Sequence, residues 1–178
     1  MQLHLVPHPQ APPADPAFEV WADIEHVHML GQVSTTNIWF CVRAPIGRFV
    51  IPEAAEEARA DGLWQTTCFE AFLRHPGDEG YGEWNFSPSG EWAAYDFAGY
   101  RDGRADSELA HPPYIRLQDS LTWWQLGVTI ALDQGPWQLA LAAVLEEEDG
   151  TKSYWALAHP AGDKPDFHAA DCFAAKLA

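Results

Sequence analysis

From Trp124 to Leu132 the chain alternates without a break. Trp124, Leu126, Val128, Ile130 and Leu132 are all apolar, and Trp123, Gln125, Gly127, Thr129 and Ala131 stand between them. A period of two sends successive side chains to opposite faces of an extended backbone, so this segment predicts a half-buried β-strand with one face in a core. The same pattern places Phe18, Val20, Ala22 and Ile24 inward with Glu19, Trp21 and Asp23 outward. It also places Thr36, Ile38, Phe40 and Val42 inward with Asn37, Trp39, Cys41 and Arg43 outward. These two segments read as antiparallel neighbours.

Further strands are expected at Thr66–His75, Tyr81–Phe86, Trp92–Tyr100, Trp137–Leu145 and Ser153–His159, with Phe173–Leu177 as a closing strand. Turn chemistry separates them: Ser87-Pro88-Ser89-Gly90, His75-Pro76-Gly77-Asp78-Glu79-Gly80 and Glu148-Asp149-Gly150 put Pro, Gly and Asp where tight reversals need them. Residues Gln138–Ala143 would also suit a helix, but the large side chains Trp137, Leu139, Leu141 and Leu145 fall on odd positions, which favours a strand. Pro52–Ala60 has helix formers behind a proline and ends before Gly62, and is expected to form one short helix. Arg101–Pro113 reads as a long connection. Many short strands with regular turns predict an all-β fold, a two-sheet antiparallel β-sandwich. At 178 residues, with no internal repeat and no shift of composition, the whole chain 1–178 reads as one domain.

Charge restricts the partners. Ten Lys and Arg against 26 Asp and Glu give a net charge of -16, which repels polyphosphate and anionic lipid and predicts no nucleic-acid and no membrane partner. No segment approaches 18 uninterrupted apolar residues, and Met1–Ala11 lacks a cationic stretch followed by an apolar run, so a cytoplasmic protein is expected. Cys41, Cys68 and Cys172 are scattered and predict neither a disulfide framework nor a zinc site. The common dinucleotide, phosphate, serine-hydrolase and zinc-protease motifs are absent, and Ser89 sits in a turn without the strand elbow of a nucleophile.

Two features carry chemistry. In Thr67–Leu73, Glu70 shares a face with Cys68 and Phe72, and an acid flanked by apolar side chains needs partners. The next strand puts Tyr81, Glu83 and Asn85 on one face, so Glu70, Glu83 and Asn85 converge if the strands pair. Three readings stand: a satisfied polar network or edge-strand charges, a polar ligand site, or the two carboxylates of a glycoside-cleaving enzyme. The second feature is the late loop His159–Asp171, where Asp163, Asp166 and Asp171 offer oxygen ligands of the kind calcium takes, though without the spacing of a calcium loop. Asp166 and His168 alternate, and in the other reading face the same pocket as Glu70. Nine tryptophans exceed the needs of a core this size, because a buried indole also wants a partner for its N–H. Some are therefore expected at a surface. Trp21 and Trp39, bracketed by polar residues, offer flat faces to a pyranose or to a partner.

The run Leu63-Trp64-Gln65-Thr66-Thr67-Cys68-Phe69-Glu70-Ala71-Phe72-Leu73, followed by Tyr81-Gly82-Glu83-Trp84-Asn85-Phe86-Ser87-Pro88-Ser89-Gly90 and later by Lys164-Pro165-Asp166-Phe167-His168, resembles bacterial DOMON-like proteins of the type 9 carbohydrate-binding module group. The likeness extends over about Phe18–Phe173. It implies an immunoglobulin-like β-sandwich whose relatives bind sugars or haem and carry out no catalysis. In the sugar-binding modules a tryptophan ahead of the strand acid stacks on the sugar while the acid holds hydroxyls, positions matched by Trp64 and Glu70. A second tryptophan on a late loop closes the site there; Phe167 or His168 takes that place here. The resemblance also implies structural calcium, for which the Asp cluster is the match, and in haem-binding relatives Met and His axial ligands, for which Met29 stands beside His26 and His28. The expected function is thus a non-catalytic saccharide-binding domain with Trp64, Glu70, Glu83, Asn85, Phe167 and His168 around the site, no catalytic residues and no assigned metal. A haem domain and a glycoside-acting enzyme using Glu70 and Glu83 are the alternatives.

Overall fold

The computed structural model describes residues 1–28 and 33–177. Its strands are β1 (Gln2–Pro7), β2 (Glu19–His28), β3 (Val33–Arg43), β4 (Cys68–Arg74), β5 (Tyr81–Phe86), β6 (Trp92–Phe97), β7 (Ala105–Asp106), β8 (Tyr114–Asp119), β9 (Trp124–Asp133), β10 (Trp137–Glu146), β11 (Lys152–Ala156) and β12 (Ala175–Leu177). All strand pairings are antiparallel, in the order β7-β6-β5-β4-β10-β11-β1-β2-β3-β9-β8, with β12 added to β10. The twelve strands form one continuous sheet, eleven of them along a single path. The strand responsible is β1, which the sequence reading passed over: Gln2–Leu5 pair with β2, while Val6 and Pro7 pair with Ala156 and Trp155 of β11. Only Leu5 of β1 is buried, so its hydrophobic signal is faint. Tyr114–Asp119 was passed over for a similar reason, with Ile115 its only fully buried residue.

The sheet curls so that its halves share one core. The alternating faces of β2, β3 and β9 supply Val20, Ile24, Ile38, Phe40, Trp124, Leu126 and Val128, and the other half supplies Phe69, Leu73, Phe86, Leu139 and Leu141. Phe40 stacks on Phe69 with centroids 4.9 Å apart, and Phe69 meets Trp124 at 5.5 Å. Four of the nine tryptophans are buried: Trp84, Trp92, Trp124 and Trp155. Trp155 donates to Ser153 at 2.9 Å, but the indole N–H groups of Trp92 and Trp124 have no hydrogen-bond partner among the described residues. Trp64 and Trp123 lie at the surface.

Pro52–Ala60 forms no helix, a correction to the sequence reading. Residues 53–59 are all exposed, and a short helix with no apolar stripe to bury is marginal in water. The segment runs instead as a strap across the start of β6: Ala55 N–H donates to the Ser89 carbonyl at 2.9 Å, Trp92 N–H to Ala58 at 3.0 Å and Ala60 N–H to Trp92 at 2.9 Å. Arg59 fixes it, donating to the carbonyls of Ala94 and Ser107 at 2.7 Å each and lying over the Trp92 ring. Helical residues are confined to 3-10 turns at Ile46–Arg48, Leu63–Gln65 and Ala170–Cys172. Among the described residues no helix is long and apolar enough to cross a membrane.

Candidate functional site

Strand β4 is buried on both faces. Phe69, Ala71 and Leu73 point into the shared core, while Cys68, Glu70 and Phe72 point to the other side of the sheet. The same division runs through β10, whose Leu139, Leu141 and Leu145 enter the core and whose Ala140, Ala142 and Val144 face outward. Glu70 sits in register between Ala142 of β10 and Asn85 of β5. Glu70 and Val144 of this face line a depression above the sheet, and two peripheral segments wall it in. One is the turn Leu63–Gln65, entered through Gly62 at φ 74°, a left-handed conformation that suits glycine. The other is the late loop carrying Pro165, Phe167 and His168. The resulting cavity of about 710 Å³ is lined by Trp64, Glu70, Glu83, Phe167 and His168 together with Asp61, Tyr95, Phe97, Arg101, Arg104 and Tyr154, among others.

The loop is held by Asp166, whose carboxylate accepts from the Tyr100 hydroxyl at 2.6 Å, from the Arg101 guanidinium at 2.9 Å and from the His168 N–H at 3.3 Å. Burial pushes the Asp166 carboxyl up, but these donors outweigh it and its pKa lies below the ordinary value. His168 rests among Phe72, Tyr81 and Phe97. The Tyr81 hydroxyl accepts from the Arg101 N–H at 3.1 Å and is hydrogen-bonded to His168 Nδ1 at 2.8 Å, and His168 Nε2 stands 3.7 Å from Glu83 Oε2. Burial, then the positive charge of Arg101, lower the His168 pKa to about 4, so the ring is neutral and its contact with Glu83 is no ion pair at neutral pH.

Glu70 is 4% exposed and lines the cavity, yet no protein group among the described residues donates a hydrogen bond to it. Burial, followed by the nearby Glu83, raises its pKa well above the carboxylate range, with Arg101 pulling the other way. Glu83 accepts from Asn85 Nδ2 at 2.7 Å, and burial raises it too, against that hydrogen bond and the charges of Arg104 and Arg101. Trp64, 55% exposed, stands at the rim. The arrangement provides an aromatic wall at the mouth and desolvated acceptors at the floor, the combination that holds a compact ligand with one apolar face and a polar edge.

Five of the six residues expected from sequence line this cavity: Trp64, Glu70, Glu83, Phe167 and His168. Asn85, 1% exposed, stands behind Glu83 and orients it. Sequence reasoning missed Arg101 and Arg104, hidden in what read as a connection; the signal was two of only ten cations lying three residues apart. Asp61, which accepts from Arg104 at 3.1 Å and from the Tyr95 hydroxyl, was missed as well. Trp21 belongs to a separate depression of about 400 Å³ on the other half of the sheet, with Trp123, and donates to Asp23 at 3.1 Å; Trp39 packs beside Gly127. Asp163 and Asp171 are exposed, Asp166 is engaged as above, and among the described residues no three His, Cys, Asp or Glu converge as metal ligands. Met29 lies outside the described residues, and His26 is hydrogen-bonded to Thr36 Oγ1 at 2.7 Å. Ser89 is a turn residue, bonded to Ser87 and Glu91.

No protein-family model matches the sequence, and no curated protein does. Solved structures share the fold. One is a protein from Bacteroides uniformis provisionally described as carbohydrate-binding, 15% identical, with 99% of this chain and 84% of that one covered and a TM-score of 0.60. A family 9 carbohydrate-binding module from Caldicellulosiruptor kristjanssonii in complex with glucose is 10% identical over 92% of this chain and 77% of that one, with a TM-score of 0.52. The structure of such a module from the same organism with cellotriose is 10% identical over 84% and 72% of the two chains, with a TM-score of 0.50.

Proposed function

We propose that this chain is a non-catalytic saccharide-binding domain, an immunoglobulin-like β-sandwich of the type 9 carbohydrate-binding module kind, which takes a sugar into the cavity between Trp64 and Glu70. The observation that carries the reading is Glu70: a carboxyl 4% exposed, without a hydrogen bond from any described residue, facing a cavity whose rim is an exposed indole. A buried acceptor left unsatisfied costs about 1–3 kcal/mol, more when charged, and sugar hydroxyls supply the donors. Trp64 offers its face to the C–H side of the ring, and Glu83, fixed by Asn85, offers a second acceptor. The fold neighbours are consistent with this, since two of them hold glucose or cellotriose.

The same pair favours a second reading. Glu70 faces Asn85 and Glu83 faces Phe72 in the β4–β5 register, so the two acids stand diagonally on one face of adjacent strands, a pair of carboxyls of the kind glycosidases use. Calorimetric titration with glucose, cellotriose and a panel of monosaccharides, beside an assay for reducing sugar, separates the two. Saturable binding with no sugar released is expected; enzyme-dependent release would install the glycosidase, and a panel without a single binder would overturn the saccharide reading.

A further inference from the structure

The charges around the cavity do not cancel evenly. Arg101 is committed to Asp166 at 2.9 Å, and Arg104 to Asp61 at 3.1 Å while lying 3.9 Å from the Tyr95 ring. Each cation thus has its own carboxylate. Glu70 and Glu83 are left over, and among the described residues the only cationic-type group within ion-pair distance of either is His168, 3.7 Å from Glu83 and neutral as derived above. Trp64, Tyr95, Phe97, Tyr154 and Phe167 line the cavity with these acids. Aromatic faces attract cations and a buried acid, once ionised, requires one, so these two components of the lining favour positive charge beyond what Arg101 and Arg104, each held by its own carboxylate, supply.

Resting on the saccharide reading, we infer that the cavity selects a sugar bearing a protonated amine, a hexosamine with a free amino group, whose ammonium docks on Glu70 and Glu83 within the aromatic wall. A neutral sugar satisfies the oxygens of Glu70 but leaves two desolvated acids facing one another. An ammonium brings three donors and the missing charge. The net charge of -16 also draws a cationic ligand toward the chain and disfavours an anionic one.

The test compares D-glucosamine, D-glucose and N-acetyl-D-glucosamine by calorimetry at about pH 6, where a free amine of this type is protonated. Glucosamine is expected to bind at least about tenfold more tightly than the two neutral sugars, and to release protons that glucose does not, since an ammonium beside them ionises the raised carboxyls. Glu70→Gln and Glu83→Gln, each checked by thermal melt, should both bring glucosamine down to the level of glucose. Glucose binding as tightly as glucosamine, or a preference that survives in whichever variant folds, overturns this inference and leaves saccharide binding standing. Failure of all three sugars and of cellotriose removes both.

Discussion

Replacing Trp64 with alanine tests the rim of the cavity with little disturbance of the fold. The indole is 55% exposed, at the rim of the cavity. A tryptophan offers on the order of 250 Å² of side-chain surface, so about 140 Å² of this one remains open to solvent. A pyranose stacked on one face covers roughly half of that, about 70 Å², and at ~25 cal/mol per Å² the contact contributes about 1.7 kcal/mol, close to twentyfold in Kd. Stability should barely change, because a substitution at an exposed position costs about 0.5 kcal/mol or less, ~1–2 °C in a domain of this size. The assay is a fluorescence titration with glucosamine and cellotriose beside a thermal melt. If Trp64→Ala lowers the melting temperature by ~10 °C while the folded fraction binds as before, the indole supports structure and the stacking argument fails.

Glu70→Gln should raise the melting temperature at pH 7 while weakening ligand binding. The native state raises the pKa of this acid, so its contribution to stability is present below the unfolded carboxylate value and is lost as pH rises through the native one. The variant should therefore show a flatter melting profile between about pH 5 and 8, and a steeper one would refute the assignment. His168 has the opposite sense: held at about 4 against an ordinary 6.5, it contributes stability that is full above the unfolded value and lost as pH falls toward 4, in all about 3 kcal/mol. An NMR titration should find the His168 midpoint near 4, and a midpoint near 6.5 would show a solvated ring. Chelator treatment should leave the melting temperature unchanged, since Asp166 already serves Tyr100 and Arg101; a drop reversed by calcium would contradict this.

What was legible in the sequence tracks how strongly each element is buried. β9 and β3 alternate across one buried face, and their pattern specifies register as well as existence. β10 was readable only through its large residues, because its alanines carry no strand signal. Glu70 could be found because an acid between Cys68 and Phe72 violates the pattern around it. Arg101 and Arg104 could not, since a cation in a polar connection breaks no rule; their position depends on a turn at the end of β6 and on a loop more than 60 residues later. The expected helix at Pro52–Ala60 failed for a related reason: propensity spoke for it, and no apolar face did.

The pairing of β1 with both β2 and β11 has a kinetic consequence. Val6 meets Ala156 across 150 positions of chain, and the ammonium of Met1 reaches back to the Ile24 carbonyl at 2.7 Å. Contacts of such long sequence separation bring high contact order and slow folding. During synthesis the β2–β3 hairpin has its partners at once, whereas β1 must wait for β11 before the curl can close. The loop bearing Phe167 and His168 leaves the ribosome later still, with only β12 among the described strands behind it, so the cavity is walled late and recovery of ligand binding on refolding should lag behind recovery of strand signal.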